Sequence, residues 1–361
     1  MAAEAEPRPR RRLPPEIFDL PVEKMKAGYY TDAYFNLARS ALLADGRRPH
    51  VVMQVFQMNH AVLGGTDEAI AILELCSHDW GTLSVHALYD GDEIEPWETV
   101  MTIAGDYTHF AHLETVYLGV LARRTLISTN VRKVVEAANG KPILFFPARH
   151  DHHHVQTGDG NAAHVAGAIG VSTDAQSSWW GGRGIGTVPH ALIAAYAGDT
   201  VLAARKFADW AQRDEPDLKV VVLVDFENDS VRTSLEVARA LGDGLWGVRL
   251  DTSRQLVDRS LWEEMGDFDP RGVNERLVWK VREALDAEGF DRVRIVVSGG
   301  FDLERIREFE RREVPVDSYG VGSALIRGEN NFTADVVLLD GKPCSKLGRS
   351  HRPNPRLEPV D

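Results

Sequence analysis

The chain has 361 residues, of which 43% are hydrophobic and 26% charged, a composition typical of a globular protein with one or two domains. Its net charge of -13 argues against a nucleic-acid-binding surface, which needs concentrated Lys and Arg. With Cys76 and Cys344 as the only cysteines, a disulfide framework and an all-cysteine zinc site are excluded, and a reducing cytoplasm is expected. Because no apolar run approaches the roughly 20 residues that span a bilayer, we expect no membrane insertion.

The N-terminal region contains two different patterns. Residues 1–20 combine Pro and Arg without apolar periodicity, which predicts a flexible tail. Residues 21–115 mix short strand-like runs with one amphipathic helix at 67–76, which indicates an α+β domain. A last strand-like run at 334–342 is expected to return to this domain, so that residues 331–361 complete it.

A long helical segment is predicted at 110–140, and Gly140 suits its C-cap. The pattern of apolar residues changes after this segment. Beyond Lys141, continuous apolar strands alternate with amphipathic helices, a pattern typical of a parallel sheet buried on both faces, and residues 116–330 are expected to form the α/β barrel domain. In α/β barrels the carboxyl ends of such strands carry the chemistry. The residues at these ends are Arg149, Asp225, Arg249 with Asp251, and Gly299 with Gly300.

Two glycine-rich turns lie late in this region, at 298–306 and 319–326. Glycine lets backbone amides approach a phosphate, and barrel phosphate sites often use the loops after the last two strands. Tight strand-to-helix packing is the alternative explanation for each turn alone. The candidate phosphate-binding residues are Gly299, Gly300, Gly320 and Gly322.

His190 follows Pro189 and opens an apolar helical run. A single histidine at a helix start often has a structural role, but imidazole is also a nucleophile or a proton carrier near neutral pH. Asp225, at the end of the following predicted strand, is placed to orient it. The residues alone leave both interpretations open.

The segment 149–154 reads RHDHHH. Imidazole and carboxylate groups bind transition metals, so a metal site is one interpretation. In an extended segment the side chains of His152 and His154 would point together and that of His153 away, so that only part of the cluster would converge. Arg149 offers instead a bidentate partner for a carboxylate.

In their order and spacing, these segments resemble the nicotinate phosphoribosyltransferases, relatives of the nicotinamide and quinolinate enzymes. The resemblance runs from residue 29 to residue 349 and includes YYTDAYF, HLETVYLGVLARRTLIST, FPAR, VSTDA, GTVPHA, LVDFEND, VRLDTS, VSGGFD and YGVGSAL. It implies an incomplete α/β barrel of the type II phosphoribosyltransferases with an N-terminal α+β sandwich-like domain. The implied reaction joins nicotinate to phosphoribosyl pyrophosphate in NAD salvage, with Mg²⁺ as cofactor and ATP as co-substrate.

The resemblance also implies which residues bind the pyridine base. Tyr34 would stack on the pyridine ring across a homodimer interface, and Phe146 would cover the other face of the ring. Arg149 would contact the ring carboxylate or phosphoribosyl oxygens. Asp174 would lie at the base end of the pocket, in an active site shared by two subunits.

Further roles are implied for coupling and for the sugar donor. His190 would be the histidine phosphorylated by ATP, and Asp225 would orient it. Arg249 and Asp251 would hold phosphate and ribose hydroxyls, while the four glycines would cradle the 5-phosphate. The metal ligands are not implied by any motif.

Three features keep other functions open. Thr252 and Ser253 stand where the family often has Ser-Gly, Pro189 stands where the nicotinamide enzyme has Glu, and the histidine run is unusual for the family. A decarboxylating quinolinate phosphoribosyltransferase shares the fold type and the donor. A metal-dependent hydrolase centred on the histidine run and a small-molecule-binding relative without catalysis are the remaining alternatives.

Overall fold

The chain forms two compact units in a computed structural model that describes residues 10–266 and 268–360. The second unit consists of Asn130–Gly160 and Gly167–Arg327, and the first contains the remaining described residues. In chain order the strands are β1 His50–Phe56, β2 Ala61–Val62, β3 Ser84–Ala87, β4 Glu93–Ile94, β5 Thr99–Asp106, β6 Ile143–Phe145, β7 Gly170–Val171, β8 Val221–Leu223, β9 Gly247–Leu250, β10 Arg294–Val297, β11 Ser318–Val321, β12 Thr333–Leu339, β13 Lys342–Pro343 and β14 Glu358–Pro359.

The α-helices include one long segment and several short ones. They are α1 Val22–Lys26, α2 Ala33–Ala44, α3 Thr66–Cys76, α4 Tyr107–Phe110, α5 Glu114–Ala137, α6 Gln156–Val165, α7 Asp174–Ser177, α8 His190–Ala195, α9 Thr200–Asp214, α10 Ser230–Leu241, α11 Glu275–Ala287 and α12 Leu303–Arg311. Within the described residues, no helix has both the length and the apolar character needed to cross a membrane.

An antiparallel sheet of six strands organises the first unit, in the order β13-β12-β1-β5-β3-β14. Strand β12 pairs with β1 from Val51↔Leu339 to Phe56↔Thr333, so chain from the C-terminal end completes the sheet. Ile72 of α3 is fully buried in the core that the sheet forms with this helix. Apolar side chains on one face of the sheet and one face of the helix exclude water together, which stabilises both elements.

Residues 10–20 do not form the expected flexible tail, and the prediction was wrong for this stretch. Arg12 donates a 3.0 Å hydrogen bond to Asp67 Oδ1, and the backbone N–H of Leu13 donates a 2.9 Å bond to Asp67 Oδ2. The ring of Phe18 is buried. The acidic first turn of α3 attracts an arginine that composition alone assigns to solvent. Residues 1–9, the rest of the predicted tail, lie outside the described residues.

The second unit contains a six-stranded parallel sheet in the order β7-β6-β11-β10-β9-β8. Its strands are short and mainly apolar, and Val222, Val248 and Ile295 are fully buried. Amphipathic helices α9 to α12 alternate with these strands along the chain. This alternation is the pattern that the sequence predicted for residues beyond the long helix.

An irregular segment lies between the two edge strands β7 and β8. Its Ile185 N–H donates to the carbonyl of Val171 in β7 over 2.8 Å, and its Val188 N–H donates to the carbonyl of Val221 in β8 over 2.9 Å. The curled sheet is therefore completed by irregular chain instead of by regular strands. Together with the antiparallel sheet of the first unit, this confirms the predicted fold class, an incomplete α/β barrel with an N-terminal α+β domain.

The division between the units falls inside helix α5 and not at residue 115 or 116, where the sequence placed it. Tyr117 and Leu121, in the first turns of α5, are buried in the core of the first unit. The rest of α5, from Asn130, belongs to the second unit. Since the helix is continuous across this point, it carries no turn or breaker residue that marks the boundary in the sequence.

Gly160 in α6 provides a test of how closely the second unit is packed. An added Cβ at Gly160 would lie 2.1 Å from the backbone oxygen of Gln176, whereas at Gly119 in α5 it would have no described atom within 4 Å. We expect Gly160→Ala to destabilise the fold by about 1–3 kcal/mol through overpacking. Gly119→Ala should stabilise it by about 0.5–1 kcal/mol through helix propensity. Thermal unfolding of both variants, followed by circular dichroism, checks this; equal midpoints would contradict it.

Candidate active site

His190 and Asp225 form a hydrogen-bonded pair in the second unit. Val188 lies beside Val222 of β8, so the chain that leads into α8 runs next to the strand that precedes Asp225. Nε2 of His190 lies 2.9 Å from Oδ1 of Asp225. The side chain of His190 is 44% exposed, and that of Asp225 only 6%. A buried carboxylate therefore orients an imidazole that a ligand can reach.

This hydrogen bond determines which nitrogen of His190 is available. A carboxylate can only accept, so Nε2 donates to Asp225 and Nδ1 carries the lone pair of the neutral ring. The hydrogen bond to Asp225 raises the pKa of His190 above its ordinary value, and the charges of Asp225 and Asp251 act in the same direction. Partial burial and the charge of Arg249 oppose the rise in this pKa.

Arg249 and Asp251 are linked through a serine on the neighbouring strand. Arg249 Nε donates a 2.8 Å hydrogen bond to Ser298 Oγ, and Ser298 Oγ donates a 2.6 Å bond to Asp251 Oδ1. Arg249 Nη2 also lies 3.4 Å from Asp251 Oδ1. A second hydroxyl, that of Thr187, accepts a 3.4 Å bond from Arg249 Nη1. These contacts hold a guanidinium and a carboxylate side by side at the carboxyl edge of the sheet.

Phe146 follows β6 and lies close to Arg249. The guanidinium carbon of Arg249 is 5.3 Å from the centroid of the Phe146 ring, within cation–π range. A Cβ added at Gly320 would lie 2.9 Å from this ring. Glycine at position 320 therefore lets the ring approach strand β11, which is a packing reason for a residue that the sequence assigned to phosphate. Its role in phosphate binding stays a prediction.

Gly299 and Gly300 form the turn between β10 and α12, with φ of 82° and 87°. Side chains rarely adopt these left-handed angles, so the turn requires glycine. A Cβ at Gly299 would also lie 3.2 Å from the backbone oxygen of Asp251. Arg254 donates a hydrogen bond to the backbone oxygen of Gly300 and lies 3.3 Å from Asp302. The turn is thus in contact with the chain that follows Asp251.

Arg149 and Asp174, two further predicted residues of the second unit, are exposed. Arg149 lies in a 3-10 helix, Ala148–His150, and forms no hydrogen bond or ion pair with another described residue. Asp174 Oδ1 accepts a 2.8 Å hydrogen bond from the backbone N–H of Gly184. Gly322 approaches His150, because a Cβ at Gly322 would lie 3.2 Å from that ring. Hydrogen bonds do not join Arg149 or Asp174 to His190 or Arg249 within the described chain.

Tyr34 belongs to the first unit, in helix α2, and is 61% exposed. Its ring contacts that of Phe35, with centroids 4.3 Å apart. None of the residues of α2 is buried. The helix therefore presents aromatic side chains to solvent within the single chain.

Three of the four histidines of the RHDHHH segment, His152, His153 and His154, converge, contrary to the expectation that His153 would point away. Their possible ligand atoms all lie within 4.8 Å of one another. The cause is local backbone structure, since residues His153–Val155 form a 3-10 helix instead of an extended strand. The period-2 alternation that separates neighbouring side chains in a strand therefore does not apply here.

Ser298, Thr187 and Arg254 were missed by the sequence analysis. The two hydroxyls bind Arg249, and Arg254 binds the glycine turn. Ser298 immediately precedes the glycine pair, which was the available signal for it. Thr252, where the family often has Ser, is fully buried, and its hydroxyl has no partner among the described residues.

Comparison with known proteins agrees with this geometry. Residues 32–125 match the family model of the N-terminal domain of quinolinate phosphoribosyl transferase. A nicotinate-nucleotide pyrophosphorylase from Pyrococcus furiosus has a crystal structure that is similar at a TM-score of 0.78 and 32% identity, covering 91% of this chain and 80% of that one. The human nicotinic acid phosphoribosyltransferase structure shares the fold at a TM-score of 0.65 and 18% identity, covering 89% of this chain and 77% of that one.

Sequence relatives give the same assignment. Nicotinate phosphoribosyltransferase pncB1 of Mycobacterium tuberculosis is 31% identical over 264 residues, which cover 71% of this chain and 54% of the relative. The fold is that of the type II phosphoribosyltransferases. Within that class, the chain belongs to the nicotinate phosphoribosyltransferase family, as its motifs implied. It spans about half the length of the curated relatives it matches.

The His190–Asp225 pair predicts a pH-dependent contribution to stability. Because the pKa of His190 is raised in the folded state, the pair stabilises the fold below the unfolded-state pKa and loses this contribution as the pH rises through the folded-state pKa. We expect Asp225→Asn to lower the pKa of His190, and Asp251→Asn to lower it less. NMR titration of the His190 ring measures both changes. A titration curve unaffected by Asp225→Asn would show that the hydrogen bond does not control this ring.

Proposed function

We propose that the protein is a nicotinate phosphoribosyltransferase that forms nicotinate mononucleotide and pyrophosphate from nicotinate and phosphoribosyl pyrophosphate in NAD salvage. The observation that carries this proposal is the cluster of Phe146, Arg249 and Asp251, in which an aromatic ring adjoins a guanidinium and a carboxylate. The ring offers a face to a flat pyridine. The two charged groups suit the phosphates and the ribose hydroxyls of the donor.

The reaction breaks the bond between ribose C1 and the pyrophosphate oxygen and forms a bond between C1 and the pyridine nitrogen. The electron pair of the broken bond leaves with pyrophosphate, and positive charge develops on the sugar. Asp251, held by Ser298, supplies a fixed negative charge that stabilises such a sugar. The pyridine nitrogen attacks with its own lone pair, so the step needs no general base.

His190 is therefore available for a different role, which we assign to ATP coupling. Its exposed Nδ1 attacks the γ-phosphorus of ATP, ADP leaves with the electron pair of the broken bond, and a phosphohistidine forms. Asp225 holds the ring through Nε2 and stabilises the positive charge that the ring gains. Hydrolysis of the phosphohistidine then links ATP consumption to substrate binding or pyrophosphate release.

The residues present fit a magnesium ion. Mg²⁺ prefers oxygen ligands and usually binds through one or two carboxylates together with substrate phosphates. Asp251 offers a carboxylate that is 22% exposed and whose Oδ1 is already oriented by Ser298. Asp251 and the donor pyrophosphate would hold the ion, which would neutralise negative charge on the leaving group.

We assign base specificity to Arg149, an exposed residue of the 3-10 helix Ala148–His150 that follows β6. A charge-assisted hydrogen bond to the ring carboxylate contributes on the order of 1.5–3 kcal/mol, so nicotinate is favoured over nicotinamide by about tenfold or more. A quinolinate enzyme would use the same edge of the sheet but would leave the His190–Asp225 pair without a function. Family membership removes the support for a hydrolase centred on the histidines.

The reducing cytoplasm is the compartment we propose. Cys76 and Cys344 are both free, the first buried and the second exposed. Burial raises the pKa of the Cys76 thiol to about 11, so this thiol stays protonated at neutral pH.

The function is tested by incubating the enzyme with donor, Mg²⁺ and each of nicotinate, nicotinamide and quinolinate, with and without ATP. We expect nicotinate mononucleotide as the main product and faster turnover with ATP. His190→Ala should retain slow transfer and lose the ATP stimulation, whereas His60→Ala, an exposed histidine of the first unit, should retain both. Chromatography of the nucleotides and an ADP assay provide the measurements. Preference for another base would refute the proposed substrate, and ATP stimulation that survives in His190→Ala would remove His190 from the coupling.

A homodimer with shared active sites is the proposed assembly. Helix α2 and the chain before it expose Tyr29 at 72%, Tyr30 at 43%, Tyr34 at 61% and Leu37 at 69%. Such a cluster of exposed apolar residues is typical of an interaction surface. The family resemblance of the DAY segment, which contains Tyr34, supports a second copy of this chain as the partner.

Complementation tests the shared site. Tyr34→Ala and Asp251→Ala should each be inactive, because one removes the ring in trans and the other the carboxylate at the sugar. After subunit exchange, heterodimers of the two variants contain one intact site, so about a quarter of wild-type activity should return. Each variant exchanged with itself is the control and should stay inactive. Heterodimers without activity would place all site residues in a single subunit.

A further inference from the structure

His152, His153 and His154 form a compact group that the proposed transfer reaction does not use. All three side chains are exposed, and their possible ligand atoms lie within 4.8 Å of one another. The ring centroids are 4.4 Å apart for His152 and His153, 4.3 Å for His153 and His154, and 5.0 Å for His152 and His154. Three imidazoles therefore converge from consecutive residues.

The backbone explains this convergence. His152 is the N-cap of the 3-10 helix His153–Val155, and its φ of -67° and ψ of 142° turn the chain into the helix. Within this helix the rings of His153 and His154 are tilted by 32° to each other, with their centroids 4.3 Å apart. Helix α6 begins directly afterwards at Gln156, so the turn is anchored at its C-terminal end. The arrangement is consequently a property of the local chain and not of a flexible tail.

The rings can approach further to bind an ion. Zinc lies about 2.0–2.1 Å from each histidine nitrogen, so tetrahedral ligands are about 3.4 Å apart. Among the described residues, no side-chain hydrogen bond holds the rings of His153 and His154. His152 Nδ1 accepts a bond from the backbone N–H of His154, but its length of 3.3 Å makes it weak. Small rotations of these exposed side chains are sufficient to bring the nitrogen atoms from within 4.8 Å of one another to the roughly 3.4 Å that zinc requires.

We propose that His152, His153 and His154 form a binding site for a late first-row transition-metal ion, with zinc as the representative. Neutral imidazole suits such ions and is a poor ligand for Mg²⁺, which prefers oxygen. Three histidines leave at least one coordination position for water or an anion. Because its ligands are imidazole nitrogens, the histidine site is distinct from the magnesium site proposed at Asp251, which has oxygen ligands.

The test uses the full chain without an affinity tag, because a polyhistidine tag would bind the same ions. Zn²⁺ is titrated by calorimetry, and Co²⁺ is titrated in parallel by visible absorption, which reports tetrahedral nitrogen ligation. We expect one ion per chain. His152→Ala, His153→Ala and His154→Ala should each weaken binding by about 10- to 100-fold or more, since loss of an outer partner alone has effects of that size. The triple variant should lose the site.

His150→Ala is the matched control, because His150 is exposed in the same segment but lies outside the group. It should bind Zn²⁺ as the wild type does, also in excess Mg²⁺. All these substitutions are at exposed positions, so circular dichroism and thermal unfolding should be unchanged. Equal affinity in the wild type and the triple variant would overturn the proposal. Loss of binding in His150→Ala together with retention in any of the three single variants would also overturn the assignment of ligands.

Discussion

The parallel register between β9 and β10 is the constraint on which the site depends. Arg249 pairs with Val296 and Leu250 with Val297, so the next residues, Asp251 and Ser298, emerge side by side. Side chains alternate between the faces of a sheet, and a slip by one residue would therefore separate the serine from both of its charged partners. Leu250 of β9 and Val297 of β10 are fully buried, and their packing contributes to holding this register.

Much of this arrangement is visible in the sequence, because local patterns encode it. Continuous apolar strands that end in Asp225 or Asp251 predict a parallel sheet and the edge where chemistry is located. The contact between Arg12 and Asp67 is different, since it joins residues far apart in the chain and depends on a buried acidic helix start. No periodicity signals such a contact, and composition alone suggested a tail.

Two further differences between the sequence-based predictions and the structure come from local geometry. The histidine run was interpreted with the alternation of a strand, whereas a single turn of 3-10 helix brings all three rings together. Ser298 was overlooked beside a glycine pair because its importance lies in its neighbour across the sheet, Arg249. Sequence reasoning identifies charged residues at strand ends more readily than the small hydroxyls that orient them.

The pairing of β1 with β12 has a consequence for the order of events during synthesis. Val51 leaves the ribosome long before its partner Leu339 is made. The parallel sheet of the second unit lies entirely between these two points in the chain, and its contacts are available first. One edge of β1 in the nascent first unit therefore stays unpaired until β12 has been made, and such an edge is a template for association with other chains during that time.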